Sequence, residues 1–155
     1  MTVSKARNDE VIAFLFDLDG TLVDSVYQHV LAWREALEET GIELSVWRIH
    51  RRIGMSGGLL VNALLRETGR ELSPEEIAGV HRRHAAAYRR YLPQVRALPG
   101  ARELLTALSG ARVPWAIATS GLIESARPAL DLLGVGDDAA IVTRDQVARA
   151  KPDPD

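Results

Sequence analysis

The feature that most constrains this chain is AFLFDLDGTL at Ala13–Leu22, an unbroken apolar run that ends in two carboxylates, Asp17 and Asp19. Val11 to Phe16 is of strand length, and without polar alternation it fits a buried strand of a parallel sheet with helices on both faces. Asp17 closes that strand, and Asp19 falls in a turn that Gly20 allows to bend sharply. The Thr21 hydroxyl is placed to brace the turn. Both acidic side chains then share one pocket. The bland reading of the pair is a polar turn after a buried strand; the pattern around it favours chemistry.

The rest of the chain sorts by periodicity. Over Ser25–Thr40 the apolar positions Val26, Val30, Trp33 and Leu37 recur at helical spacing. Further helices are expected at Val46–Ile53, Leu59–Thr68 and Pro74–Tyr91, the last opened by the capping box Ser73-Pro74-Glu75-Glu76. After Pro99-Gly100 a helix through Leu104, Leu105 and Leu108 leads to a strand-like Val113–Ala118, a helix to Leu133 and a strand-like Ala139–Thr143. Pro128 should kink or restart the helix that contains it. The fold class is therefore α/β, with a Rossmann-like parallel-sheet core over 1–23 and 98–155 and an all-helical insert over 24–97.

Composition excludes several functions. The 155 residues, 46% hydrophobic, suffice for one sizeable core with a smaller appendage. With 19 basic against 21 acidic residues the chain has no polyelectrolyte character, so nucleic acid is not an expected partner. It has no cysteine, which removes disulfides, thiol catalysis and thiolate metal sites. The first ten residues are polar and the apolar run after them is too short for a signal sequence or a membrane span. A soluble, cytoplasmic protein with no membrane partner is expected.

In an open parallel sheet, ligands collect beyond the carboxyl ends of the strands. Asp17 and Asp19 follow the first strand and Thr119-Ser120-Gly121 the second, so they belong to one rim. Two carboxylates and a hydroxyl suit phosphoryl transfer. An ionised Asp attacks phosphorus only if a divalent cation with oxygen ligands offsets the repulsion between carboxylate and phosphate. A second Asp supplies a proton to the leaving alkoxide and takes one from water. Thr119 would bind a phosphoryl oxygen through its hydroxyl, helped by the backbone N–H groups of Ser120 and Gly121. Lys151, in AKPDPD, would complete the charge balance, with Pro152 and Pro154 keeping the backbone after it out of helix.

Taken together, FDLDGTLVDS, IATSG and KPDPD resemble, in order, the first three motifs of the haloacid dehalogenase-like hydrolases. The match is to the branch that includes β-phosphoglucomutase, sugar-phosphate phosphatases and phosphoglycolate phosphatase, and the helical insert is similar to that branch's α-helical cap. The resemblance implies that Asp17 is a nucleophile forming an aspartyl-phosphate and that Asp19 is the general acid/base. It also implies Mg2+ as cofactor, with Asp17 and, through its backbone carbonyl, Asp19 as metal ligands, and Thr119, Ser120 and Lys151 as phosphate-binding residues. His29 matches a cap-helix histidine that assists substrate or proton handling. An Asp at position 19 fits phosphoryl chemistry rather than dehalogenation. The mutase carries an arginine after a Gly-x-Ser; Gly57 stands there in this chain, which favours a phosphatase of a small phosphorylated metabolite over a phosphosugar mutase.

The family's fourth motif, which supplies a further metal carboxylate, has no counterpart up to Asp155, and Asp153 and Asp155 are not spaced to replace it. The sequence is thus expected to be a fragment lacking the strand beside the first, with Val11–Phe16 left as a sheet edge. A chain ending there would bind magnesium and turn over poorly. A catalytically silent binding module is the reading from another class. Among blander readings, Thr119-Ser120-Gly121 is a helix cap, Lys151 a solvated lysine, Asp153 a cap and His29 a packed surface histidine. The basic runs at Arg48–Arg52 and Arg82–Arg90 are expected to be solvated helix faces. Trp33, Trp47 and Trp115 are expected as core or interface aromatics.

Overall fold

The computed structural model describes residues 12–151 and 153; Val11, Pro152, Pro154 and Asp155, invoked above, lie outside them. In chain order the elements are β1 (Phe14–Phe16), β2 (Val23–Asp24), α1 (Val26–Glu38), α2 (Val46–His50), α3 (Gly57–Thr68), α4 (Pro74–Tyr91), β3 (Arg96–Ala97), α5 (Ala101–Gly110), β4 (Trp115–Ala118), α6 (Ile123–Leu133) and β5 (Ala140–Val142). The strands are shorter than the apolar runs that encode them.

Strands β1, β4 and β5 form a parallel sheet in the order β1-β4-β5, with Phe16 opposite Ile117 and Ala118 opposite Val142. All three therefore end on one rim. Among the described residues β1 is an edge strand, as expected. Phe16, Trp115, Ile117 and Ile141 share one sheet face and pack with Ala101 and Leu105 of α5 and Ala126, Leu130 and Leu133 of α6. The other face carries Leu15, 70% exposed, and Val142, 39% exposed. Helices on both faces were expected; among the described residues they cover one. The cause is topological, because the crossovers β1→β4 and β4→β5 run in the same direction, and right-handed connections then put both helices on the same side.

α6 passes through Pro128 as one helix rather than restarting there. Only a single turn precedes the proline, so its missing N–H removes one bond close to the helix start, where few are made.

The insert leaves and rejoins the core side by side. β2 and β3 pair antiparallel, Val23 opposite Ala97 and Asp24 opposite Arg96, and the Leu98 N–H donates to the Leu22 carbonyl at 2.9 Å. Between them α1–α4 enclose a second apolar cluster that includes Val30, Trp33, Leu37, Ile49, Leu60, Leu64 and Val80. At about 1.5–3 kcal/mol per fully buried large aliphatic side chain, this cluster gives the helical layer an apolar core separate from that of the sheet. The capping box that opens α4 is formed, with Ser73 Oγ accepting from the Glu76 N–H and Glu76 accepting from the Ser73 N–H. Trp33 is buried and Trp115 donates to Ser109 Oγ at 2.9 Å, whereas Trp47 is 57% exposed beneath the Arg51 guanidinium, on no core.

Candidate active site

Leu18 separates the two acids and is buried in the sheet core. Its carbonyl accepts from the N–H groups of Thr21, Leu22 and Val23, and the Gly20 N–H donates to the Val23 carbonyl at 2.8 Å. With Leu18 pinned inward, Asp17 and Asp19 face the same cavity. Gly20 makes the turn possible: its φ is +78°, and a Cβ there would lie 2.8 Å from Val26 Cγ2. The brace is these backbone bonds; the Thr21 side chain, expected to supply one, is exposed.

The cavity, about 760 Å³, lies between the rim and the cap helices and is lined by Asp17, Asp19, His29, Thr119 and Ser120 together. Lys151 reaches Asp17 from the far side, its Nζ donating to Asp17 Oδ1 and to the Ala118 carbonyl, each at 2.6 Å. Thr119 is buried, and its Oγ1 accepts from the Gly121 N–H at 3.1 Å. That bond engages the Gly121 N–H, which was expected to face phosphate, and leaves the Thr119 hydroxyl hydrogen available as a donor. The Ser120 hydroxyl donates to the Gly54 carbonyl of the cap at 3.0 Å, so it ties rim to cap. Asp153 also lines the cavity and accepts from Arg149 at 3.4 Å.

Asp19 is the centre of a network. Ser25, fully buried, donates to Asp19 Oδ1 at 2.5 Å, and His29 Nε2 lies 3.3 Å from the same oxygen. On its other side His29 Nδ1 is 3.3 Å from His84 Nε2, and the His29 ring stacks on Tyr88 with centroids 3.8 Å apart. Burial acts to raise the Asp19 pKa, but the hydrogen bond and charge of His29, the Ser25 hydroxyl and His84 together hold the carboxyl below its usual range. Burial, then the neighbouring His29 and His81, pushes His84 well below the ordinary histidine value, so it is neutral. Burial, then the Asp19 charge, keeps the Tyr88 hydroxyl protonated.

The run Arg82–Arg90 is thus not a uniformly solvated face. Its arginines reach outward, Arg83 to Glu39, Arg89 to Glu124 and Arg90 to Glu35, while His84 and Tyr88 turn inward to the network. Sequence reasoning missed Ser25, although it closes FDLDGTLVDS, and missed His84, whose helical register with the buried Val80, Ala87 and Tyr88 was the available signal.

Among the described residues no three His, Asp or Glu side chains converge as a cation site. Asp17 and Asp19 offer oxygens on one cavity wall, a donor set that fits a hard cation retaining water and sharing a substrate phosphate. No described helix is long and apolar enough to cross a membrane.

A family model for haloacid dehalogenase-like hydrolases matches residues 12–155. The chain is 35% identical over 144 residues to hexitol phosphatase A of Escherichia coli, covering 92% of this chain and 63% of that protein. It is 33% identical to phosphoglycolate phosphatase of Agrobacterium fabrum, over 90% of this chain and 61% of that protein. The crystal structure of a hydrolase from Pseudomonas syringae superimposes with a TM-score of 0.88 at 52% identity, covering 92% of this chain and 65% of that one. The chain thus spans less than two thirds of the length of these relatives.

Proposed function

The chain belongs to the haloacid dehalogenase-like hydrolases, and on that premise we propose that it is a magnesium-dependent phosphatase of small phosphorylated metabolites, working in the cytoplasm through an aspartyl-phosphate. The observation that carries the reading is the convergence of Asp17, Asp19 and Thr119 on one cavity with Lys151 bonded to Asp17. The relatives that bear phosphatase names support it. Bound magnesium would be held by Asp17 and Asp19 and would offset the negative charge of the incoming phosphate.

Asp17 Oδ attacks phosphorus in line with the leaving oxygen, and the phosphoryl group passes to the carboxylate. Its oxygens are met by the Thr119 hydroxyl, by the Ser120 backbone and by the Lys151 ammonium, which is already within 2.6 Å of the nucleophile. The departing alkoxide takes a proton through Asp19, whose Oδ1 lies 3.3 Å from His29 Nε2. In the second half Asp19, now ionised as its network favours, takes a proton from water that attacks the aspartyl-phosphate. The Ser120–Gly54 bond links rim to cap, across the cavity where cap closure would keep bulk water from the intermediate.

Phosphate release from an aryl phosphate, with and without magnesium, tests this. We expect metal-dependent turnover in the complete protein that Asp17→Asn reduces by about 10⁴-fold or more, with the melting temperature little changed. Turnover that survives Asp17→Asn, or isomerised sugar phosphate formed without free phosphate, overturns the phosphatase reading.

A further inference from the structure

The His29 ring is held at its two nitrogens by long contacts. Nε2 lies 3.3 Å from Asp19 Oδ1, and Nδ1 lies 3.3 Å from His84 Nε2. Hydrogen bonds of this kind centre on about 2.9 Å, so each holds its nitrogen loosely. Bonds in the plane of a ring also do little to stop it rocking out of that plane. His29 borders the cavity, where there is space to swing into. Something else must fix the ring if Nε2 is to stay on Asp19.

What stands against its face is Tyr88 of α4. The two rings lie 3.8 Å apart at their centroids with planes 9° from parallel, which is van der Waals contact over the whole face. Tyr88 itself is 2% exposed and packs with Ala32 of α1, Ala87, Tyr91 and Leu92. Its hydroxyl lies against the Ser25 side chain, which donates to Asp19. Packed along its length and engaged at its tip, the tyrosine is a fixed wall. His29 and His84 line the cavity and Tyr88 does not, so it stands behind the groups that a substrate meets.

We infer, resting on the phosphatase reading above, that Tyr88 is a positioning residue for proton transfer to the leaving group, its ring holding the His29 imidazole with Nε2 on Asp19. It acts through His29 and touches no substrate. Without the ring, His29 falls back into the gap, and a misplacement of about 1 Å at a reacting group costs on the order of 100-fold. That loss is confined to reactions in which the leaving group needs a proton. An alkoxide needs one; a nitrophenolate departs as the stable anion. Because kcat/KM reports only the steps up to formation of the aspartyl-phosphate, comparing it for the two kinds of ester isolates this proton.

The test measures kcat/KM of the complete protein in magnesium for glycerol phosphate and 4-nitrophenyl phosphate, with Tyr88→Leu and Tyr88→Phe. Tyr88→Leu should lower the value for the alkyl ester by about 100-fold and that for the nitrophenyl ester by less than about ten-fold. Tyr88→Phe keeps the ring and should restore the alkyl ester to within about ten-fold of the unmodified protein. Equal losses on both esters, as a general disturbance of the fold would give, overturn the inference, and so does a Phe variant as impaired as Leu. A second readout needs no turnover: the proton resonance of His29 Cε1, identified by its loss in His29→Asn. Stacking on an aromatic face shifts it upfield, so it should stay in place in Tyr88→Phe and move downfield in Tyr88→Leu. A resonance unmoved in Tyr88→Leu overturns the inference. If the unmodified protein hydrolyses neither ester, the phosphatase reading fails, and the resonance still decides whether Tyr88 places His29.

Discussion

At Gly20 a backbone φ of +78° and a 2.8 Å approach to Val26 leave no room for a side chain. Gly20→Ala should cost about 1–3 kcal/mol of folding stability through backbone strain, seen as a lower denaturation midpoint. Because the turn aims Asp19, activity on an aryl phosphate should fall further, by about 100-fold. A variant with wild-type stability and rate would show that the turn does not position the acid. Asp17, Asp19 and Gly20 were legible because they are neighbours in the chain and their types are chemically constrained. Ser25, His84 and the Lys151–Asp17 bond depend on which side chains folding brings together. His84 in particular was hidden among arginines, since charge composition averages over a helix whose two faces do opposite things.

Secondary structure was readable where a local rule acts alone. The capping box at Ser73 and Glu76 placed the start of α4 at Pro74 from sequence, and it is there. Ser73→Ala should destabilise the protein by about 1 kcal/mol at neutral pH. The backbone and side-chain bonds from Ser73 hold the Glu76 carboxyl below its ordinary value of 4.5. A depressed folded-state pKa stabilises above the unfolded value, and that contribution is lost as pH falls through the folded one. The gap between wild type and Ser73→Ala should therefore narrow in acid, and a gap that widens there would contradict the assignment. The strands were less legible in extent: pairing, not hydrophobicity, sets their ends, and β1 pairs with β4 only from Phe14. Pro128 misled for a related reason, because its cost depends on where in the helix it falls.

At the scale of the molecule, two apolar clusters meet across a cavity, and among the described residues one sheet face and the β1 edge are uncovered. Leu15 stands on that face at 70% exposure. In the 155-residue chain Leu15→Lys should reduce concentration-dependent self-association, measured by light scattering, while changing folding stability by less than about 0.5 kcal/mol. Unchanged self-association would show that this edge is not its cause. The bare face was not legible from the apolar runs, since handedness of crossover rather than strand composition decides which side the helices take. The most direct measurement of the central claim is an acid quench during turnover, reductive trapping of acyl-phosphate, and mapping of the modified peptide by mass spectrometry. Modification at Asp17, absent without magnesium, is the predicted result. Trapping at any other residue, or sustained turnover with no trapped acyl-phosphate, would contradict it.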